Sequence, residues 1–379
     1  MPASRVYLSP GLFGFEQVGS YDYFGHVQEG IRRRFADAGR ELEVYVVNVH
    51  PTASIRRRAA RLMTMIEATL GQDDGPIHLV GHSTGGLDAR LVASPTFNVR
   101  GYRETPPWHG RIRSVTAMNT PHYGTPLASF FATVSGQRLL YALSALTVIA
   151  LKLGAPPLAI TASLVAAIGS LDHALGVELR VIDALTDRVV RVLDNASSND
   201  LSGYLRLLRD DQGAIIQLSP ESMDLFQAGV EDNPSVHYQC SVSFAPSPGV
   251  VHFARSLLSP WENLSTPIFA TLHRVTSMEN ARYPCAPPQG AADEILRDKF
   301  GHVPPAAAND GVVPVRSQLW GNVAWAGMGD HLDVVGHFGG GGRKSRHIDW
   351  LSSGSGFNLR RFNLMLDAIV RGMLGSEPT

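Results

Sequence analysis

Short apolar runs alternate with longer stretches of helical period through the first 120 residues. Val6–Leu8 reads as a buried strand ending at Pro10-Gly11. Val27–Ala38 carries a helical pattern with arginines on its outer face. Val44–Val49 is β-branched and strand-like, and Ser54–Leu70 predicts a long helix with Ser54 as its N-cap. Ile77–Val80 and Ile112–Met118 read as two further buried strands, with a helix over Leu87–Leu91 between them. Strands recurring with helices between them predict an α/β fold with a central, mostly parallel sheet covered on both faces.

Past Ala128 the texture changes. Between Leu139 and Leu171 the only charge is Lys152, and Ala155-Pro156-Pro157 divides the stretch into Leu139–Leu151 and Leu158–Leu171. Neither segment reaches the roughly 18–20 residues needed to cross a bilayer as a helix, so a transmembrane span is not expected. A helical hairpin on the protein surface or on a membrane surface fits better. Amphipathic helix resumes over Leu175–Leu193, where Asp183, Asp187, Arg188 and Arg191 form a polar face. A strand is expected at Val236–Phe244, then a Pro- and Ser-rich insertion from Ala245 to about Ala308, and a closing helix at Leu359–Leu374. The pattern divides the chain into a first half of the core (1–128), an apolar helical lid or cap (129–200), and a second half (201–379) interrupted at about 245–308.

Composition narrows the function. The 379 residues hold 33 Lys+Arg against 34 Asp+Glu, a net charge of −1, with 18% charged and 44% hydrophobic residues. An apolar chain with almost no net charge is not a disordered one, and without a basic excess nucleic acid is not an expected partner. The two cysteines, Cys240 and Cys285, exclude a disulfide framework and a C-x-x-C pair. One bridge between them and two free thiols both remain open. Met-Pro-Ala-Ser-Arg lacks the basic and apolar regions of a secretory signal, which favours the cytoplasm, or secretion if the numbering begins after processing.

Candidate chemistry starts at Gly81-His82-Ser83-Thr84-Gly85, a G-x-S-x-G pattern between a strand and a helix. So tight a turn admits only small residues beside the serine and lifts its hydroxyl to the carboxyl end of the sheet. A serine needs a base, and the base an orienting acid, in the chain order Ser, Asp/Glu, His. Asn309-Asp310-Gly311 supplies the acid and His331 the base, 21 residues later (331 − 310), both in loop settings. Asp330, beside His331, competes for the orienting role. Oxyanion donors are expected from the backbone N–H of Thr84 and, in the loop after the first strand, of Leu12.

These residues resemble the bacterial triacylglycerol lipases of the α/β-hydrolase fold, the Pseudomonas and Burkholderia type. The resemblance lies in Pro10–Phe15, Tyr23-Phe24-Gly25, Ser54–Leu62, Gly81–Arg90, Thr120–Ala128, Asn309-Asp310-Gly311 and His331-Leu332-Asp333. It covers residues 5–128 and about 305–340, and the middle of the chain poorly. It implies that Phe13, His82, His122 and Tyr123 border the substrate pocket. It also implies a structural calcium near Asp333, although His337 stands where an assisting amide is expected; no cofactor is required for the chemistry. The family usually has His before the oxyanion-loop glycine; Pro10 stands there, so support for that loop must come from elsewhere.

Gly336–Ser345 has the look of a phosphate loop, but Arg343 stands where such a loop needs Gly before its Lys, and a surface loop is expected. The leading expectation is a serine carboxylester hydrolase, a lipase acting on apolar esters and meeting a lipid–water interface through its lid. The alternatives are an esterase, polyester depolymerase or acyltransferase with a fixed cap, and a non-catalytic lipid-binding relative.

Overall fold

The computed structural model describes residues 2–12, 17–18, 21–50, 52–96, 105–133, 213–249, 260–278, 281–288, 290–339, 346–347 and 349–377. Six strands form its main sheet: β1 (Ser4–Ser9), β2 (Leu42–Val46), β3 (Ile77–His82), β4 (Ile112–Met118), β5 (His237–Phe244) and β6 (Asn322–Met328). They lie in the order β2-β1-β3-β4-β5-β6, and every neighbouring pair is parallel. β1 and β3 are buried along their whole length, as strands covered on both faces must be.

Among the described residues nine α-helices accompany the sheet. They are α1 (Gly25–Asp37), α2 (Ile55–Thr69), α3 (Thr84–Ala93), α4 (Pro126–Phe131), α5 (Gly213–Gln217), α6 (Pro220–Gly229), α7 (Pro260–Thr276), α8 (Ala291–Phe300) and α9 (Leu359–Gly375). Alternation along the strands sends Tyr7, Leu79 and Val115 into a core with α2 and α3, and Val6, Leu8 and Val80 into one with α1 and α9. Ser54 caps α2 as its sequence predicts, its hydroxyl accepting from the Arg57 N–H. From β1 the chain steps to β2 on one side and then to β3 on the other. The crevice outside the carboxyl ends of β1 and β3 is therefore a topological switch point, the place where open parallel sheets bind ligands.

Helices α7 and α8 occupy the stretch read from sequence as a Pro- and Ser-rich insertion. Gly336–Phe338, expected in a surface loop, are buried, and Phe338–Gly339 pairs with Arg346–His347. The expected lid segments Leu139–Leu151 and Leu158–Leu171, and the helix Leu175–Leu193, lie outside the described residues. Among the described residues no helix is long and apolar enough to cross a membrane. Both cysteines are free, Cys240 buried in β5 and Cys285 half-buried, which resolves the open pairing.

Candidate active site

Ser83 sits between β3 and α3 with φ 55° and ψ −127°, a backbone conformation a residue with a side chain adopts only under constraint. The glycines around it explain how the constraint is met. A Cβ on Gly81 would stand 2.0 Å from the Gly85 carbonyl carbon, and one on Gly85 would stand 2.0 Å from the Ser9 oxygen. The strand, the helix and the loop after β1 thus approach closer than any side chain allows. Thr84 opens α3, so its N–H belongs to the first turn, where no intrahelical acceptor exists. Leu12 lies in the turn after β1 and lines the same cleft as Ser83.

Asp310 and His331 are in contact. His331 Nδ1 is 2.8 Å from Asp310 Oδ2, and the His331 N–H donates to the Asp310 carbonyl at 2.9 Å. A carboxylate only accepts, so the imidazole carries its proton on Nδ1 and leaves the Nε2 lone pair free. Asp310 itself is completely buried and held from every side. Its Oδ1 accepts from the Val312 and Val313 N–H groups at 2.9 and 2.7 Å, and its Oδ2 from Asn119 Nδ2 at 2.9 Å and Gln318 Nε2 at 3.3 Å. Asn119, at the end of β4 with φ 48°, and Gln318 carry no motif that sequence reading could recognise. Asp330 does not reach the imidazole nitrogen; its Oδ1 accepts from the N–H groups of Leu332 and Asp333 at 2.9 and 3.0 Å.

Ser83, His331 and Leu12 open on one cleft with about 540 Å³ of free space, its open mouth included. Its apolar wall is built by Leu127, Ala128, Phe131, Ile215, Leu218, Val312 and Val313. His82 and Tyr23 also line it. His122 and Tyr123 stand elsewhere than the resemblance implies. The His122 N–H donates to the Ser317 carbonyl at 2.9 Å and the Tyr123 N–H to Ser317 Oγ at 3.1 Å, which turns both rings onto Trp320. Their neighbours Pro121 and Thr125 face the cleft instead. The Arg90 guanidinium lies over the Trp320 ring at 3.3 Å, and burial beside this cation holds His122 well below the usual imidazole range. Phe13 lies outside the described residues.

The loop carrying Leu12 has a support that its missing histidine does not provide. Arg58 and Asp88 form a completely buried ion pair, with Arg58 Nη2 2.8 Å from Asp88 Oδ2. The same nitrogen donates to the Pro10 carbonyl, Arg58 Nη1 donates to the His50 carbonyl at 3.2 Å, and Asp88 accepts from Ser9 Oγ at 2.8 Å. Replacing Arg58 by Met leaves Asp88 buried without its cation. It should lower the unfolding free energy by about 3–5 kcal/mol in denaturant titrations. The double variant Arg58→Met/Asp88→Leu should recover much of that loss.

Beside His331, Asp330, Asp333 and Asp349 bring one carboxylate oxygen each to within 4.8 Å of one another. Asp330 Oδ2 is buried and makes no hydrogen bond of good geometry, although the Ser353 hydroxyl is near enough to favour its charge. Asp333 Oδ2 accepts from the Asp330 N–H at 2.8 Å and from Ser355 Oγ at 2.6 Å, while Oδ1 stands 3.2 Å from His347 Nε2. Burial and mutual repulsion raise Asp330 and Asp333 well above the usual carboxylate range. An all-oxygen set, with one buried carboxylate oxygen that lacks a well-formed hydrogen bond, is chemistry that suits calcium.

No family model matches the chain. It is similar to the triacylglycerol lipase of Vibrio cholerae, with 31% identity over 124 residues, 32% of this chain and 34% of that one. It is also similar to the triacylglycerol lipase of Pseudomonas fragi, with 30% identity over 124 residues, 32% of this chain and 36% of that one. The chain thus spans about a third of the length of the curated relatives it matches. The structure of EstA from Clostridium botulinum superposes with a TM-score of 0.50 at 18% identity, covering 96% of this chain and 88% of that one. The fold is that of the α/β-hydrolases. β1 leads to the turn that holds Leu12, and β3 leads to Ser83.

Proposed function

We propose that the chain is a serine ester hydrolase, a lipase acting on acylglycerols or other apolar acyl esters. The observation that carries this reading is the apolar cleft shared by Ser83 and His331, with Asp310 2.8 Å behind the imidazole. In this reading His331 Nε2 takes the Ser83 proton as Oγ attacks the ester carbonyl. Asp310 fixes the tautomer and stabilises the imidazolium. The N–H groups of Leu12 and Thr84 hold the developing oxyanion, and the alcohol leaves with the proton from His331. Water, activated by the same imidazole, then clears the acyl group from Ser83. The acyl chain lies along Leu127, Phe131, Ile215 and Leu218, and the near-zero net charge suits a neutral substrate better than a polyanion.

A panel of p-nitrophenyl esters from acetate to laurate tests the reading. Turnover is expected on the medium chains; no turnover on any member contradicts it. The apolar sequence of Leu139–Leu171 supports a further proposal, that a lid brings the enzyme to lipid–water interfaces. The rate on tributyrin should then jump as its concentration passes the solubility limit. A smooth saturation curve would leave an esterase with a fixed cap, the reading an apolar cleft alone would also support.

We also propose that Asp330, Asp333 and Asp349 hold a structural calcium ion, which supplies the positive charge these carboxylates lack and steadies the His331 loop. Without the ion, the folded state binds protons at Asp330 and Asp333 more tightly than the unfolded chain does. Stability should therefore fall as pH rises from about 4, where an unfolded aspartate titrates, toward about 8, where folded Asp333 does. Calcium at 100 times its Kd should restore about 2.7 kcal/mol. Melting temperatures in EDTA and in calcium at pH 5 and pH 8 measure both effects. The Asp333→Asn variant should lose the response to calcium.

A further inference from the structure

His82 precedes the candidate nucleophile, and both ring nitrogens of its side chain are engaged by other segments. Its Nε2 is 2.8 Å from the carbonyl oxygen of His331, 249 residues away in the chain, and its Nδ1 is 2.6 Å from the hydroxyl of Tyr23. Both side chains are buried.

Hydrogen-bonding chemistry gives this chain one direction. A carbonyl only accepts, so His82 must carry its proton on Nε2 and donate it to His331. Burial and the neighbouring His331 ring, 4.7 Å away centre to centre, keep His82 neutral, so Nδ1 is an acceptor. Tyr23 must therefore donate its hydroxyl proton to Nδ1. The hydrogen bonds run from Tyr23 through His82 to the carbonyl of His331, in the loop that presents the base. Packing carries the link on to the loop that presents Leu12. A Cβ on Gly11 would stand 2.8 Å from the Ser83 Cβ and 3.3 Å from His82 Nδ1, so the oxyanion loop rests directly on this pair.

We propose that Tyr23 and His82 are positioning residues, a strut that sets the separation between the oxyanion donors and the base on either side of Ser83. This rests on the proposed serine-hydrolase reading. Neither residue exchanges a proton in the reaction. Their effect is on alignment, which matters only when the oxyanion and the imidazolium form together. Loss of the strut should thus act on kcat and spare KM, because the apolar wall that binds the acyl chain is untouched.

Steady-state kinetics on p-nitrophenyl butyrate for four proteins, with melting temperatures, test the proposal. Tyr23→Phe removes one oxygen and keeps the ring, so it should fold. It should lower kcat by about tenfold, the equivalent of one hydrogen bond of about 1.4 kcal/mol, with KM within twofold. His82→Leu should lower kcat further. His82→Gln, whose amide N–H can still reach the His331 carbonyl, should recover part of what His82→Leu loses; a role in packing alone predicts no such rescue. An unchanged kcat in Tyr23→Phe, or a loss shared equally by kcat and KM across the variants, overturns the strut while leaving the hydrolase reading intact. An inactive wild type overturns both.

Discussion

Changing Ser83 to Ala lowers ester turnover by about 10⁶-fold, the loss expected when the nucleophile of such a unit is removed. The folded state should hardly notice. Alanine keeps the Cβ, so the φ of 55° is neither relieved nor worsened, and the backbone bonds that lock the turn, Ser83 N–H to the Met118 carbonyl at 2.8 Å and Gly86 N–H to the Ser83 carbonyl at 3.1 Å, remain. Denaturant titration and turnover on p-nitrophenyl butyrate, measured on the same preparation, separate chemistry from folding. Substantial residual turnover in a folded Ser83→Ala protein would remove this residue from the mechanism.

Changing Asp310 to Asn should lower kcat by about 10⁴-fold. An amide nitrogen facing His331 Nδ1 donates where a carboxylate accepts. It drives the imidazole proton to Nε2, and that nitrogen then has no lone pair for the Ser83 proton. The substitution also disturbs structure, because four further donors converge on this carboxylate, from Val312, Val313, Asn119 and Gln318. Wherever the new amide group sits, it confronts a donor that has lost its acceptor, at a cost of about 1–3 kcal/mol. Activity is therefore measured well below the melting transition of the variant. A loss of less than tenfold would point to another orienting acid, and Asp330, whose Oδ1 is engaged by the Leu332 and Asp333 N–H groups, is poorly placed for that role.

Much of this arrangement is legible in the sequence because it is local. The strand, the glycine-flanked serine and the helix after it occupy adjacent residues, so Gly81, Ser83 and Gly85 announce the turn without knowledge of the rest. The need for an acid and a base follows from the chemistry a serine requires, and their order after Ser83 from the strand–turn–helix setting of that serine. What sequence does not disclose is convergence. Asn119 meets Asp310 across 191 residues, and His82 meets the His331 carbonyl across 249; neither pairing has a spacing rule. The loop after β4 makes the same point at shorter range. Its approach to the cleft is readable, but which of Pro121, His122, Tyr123 and Thr125 faces inward is decided by Ser317, which binds the loop backbone from a distant segment. Helix α7 escapes pattern reading because Pro260 and Pro267 look like breaks in a segment that nevertheless folds as helix. The support for the loop that carries Leu12 is a subtler case. Arg58 lies in a recognisable helix pattern, yet only its burial against Asp88 and the Pro10 carbonyl gives it a task.

The central claim, that Ser83 is a nucleophile activated by His331, is tested most directly by labelling the whole chain with a fluorophosphonate and mapping the adduct by mass spectrometry. One adduct per chain is expected on the peptide carrying Ser83. It should form slowly in His331→Ala and not at all in Ser83→Ala. Absence of labelling in the folded wild type, or an adduct on another residue that persists in Ser83→Ala, would contradict the claim.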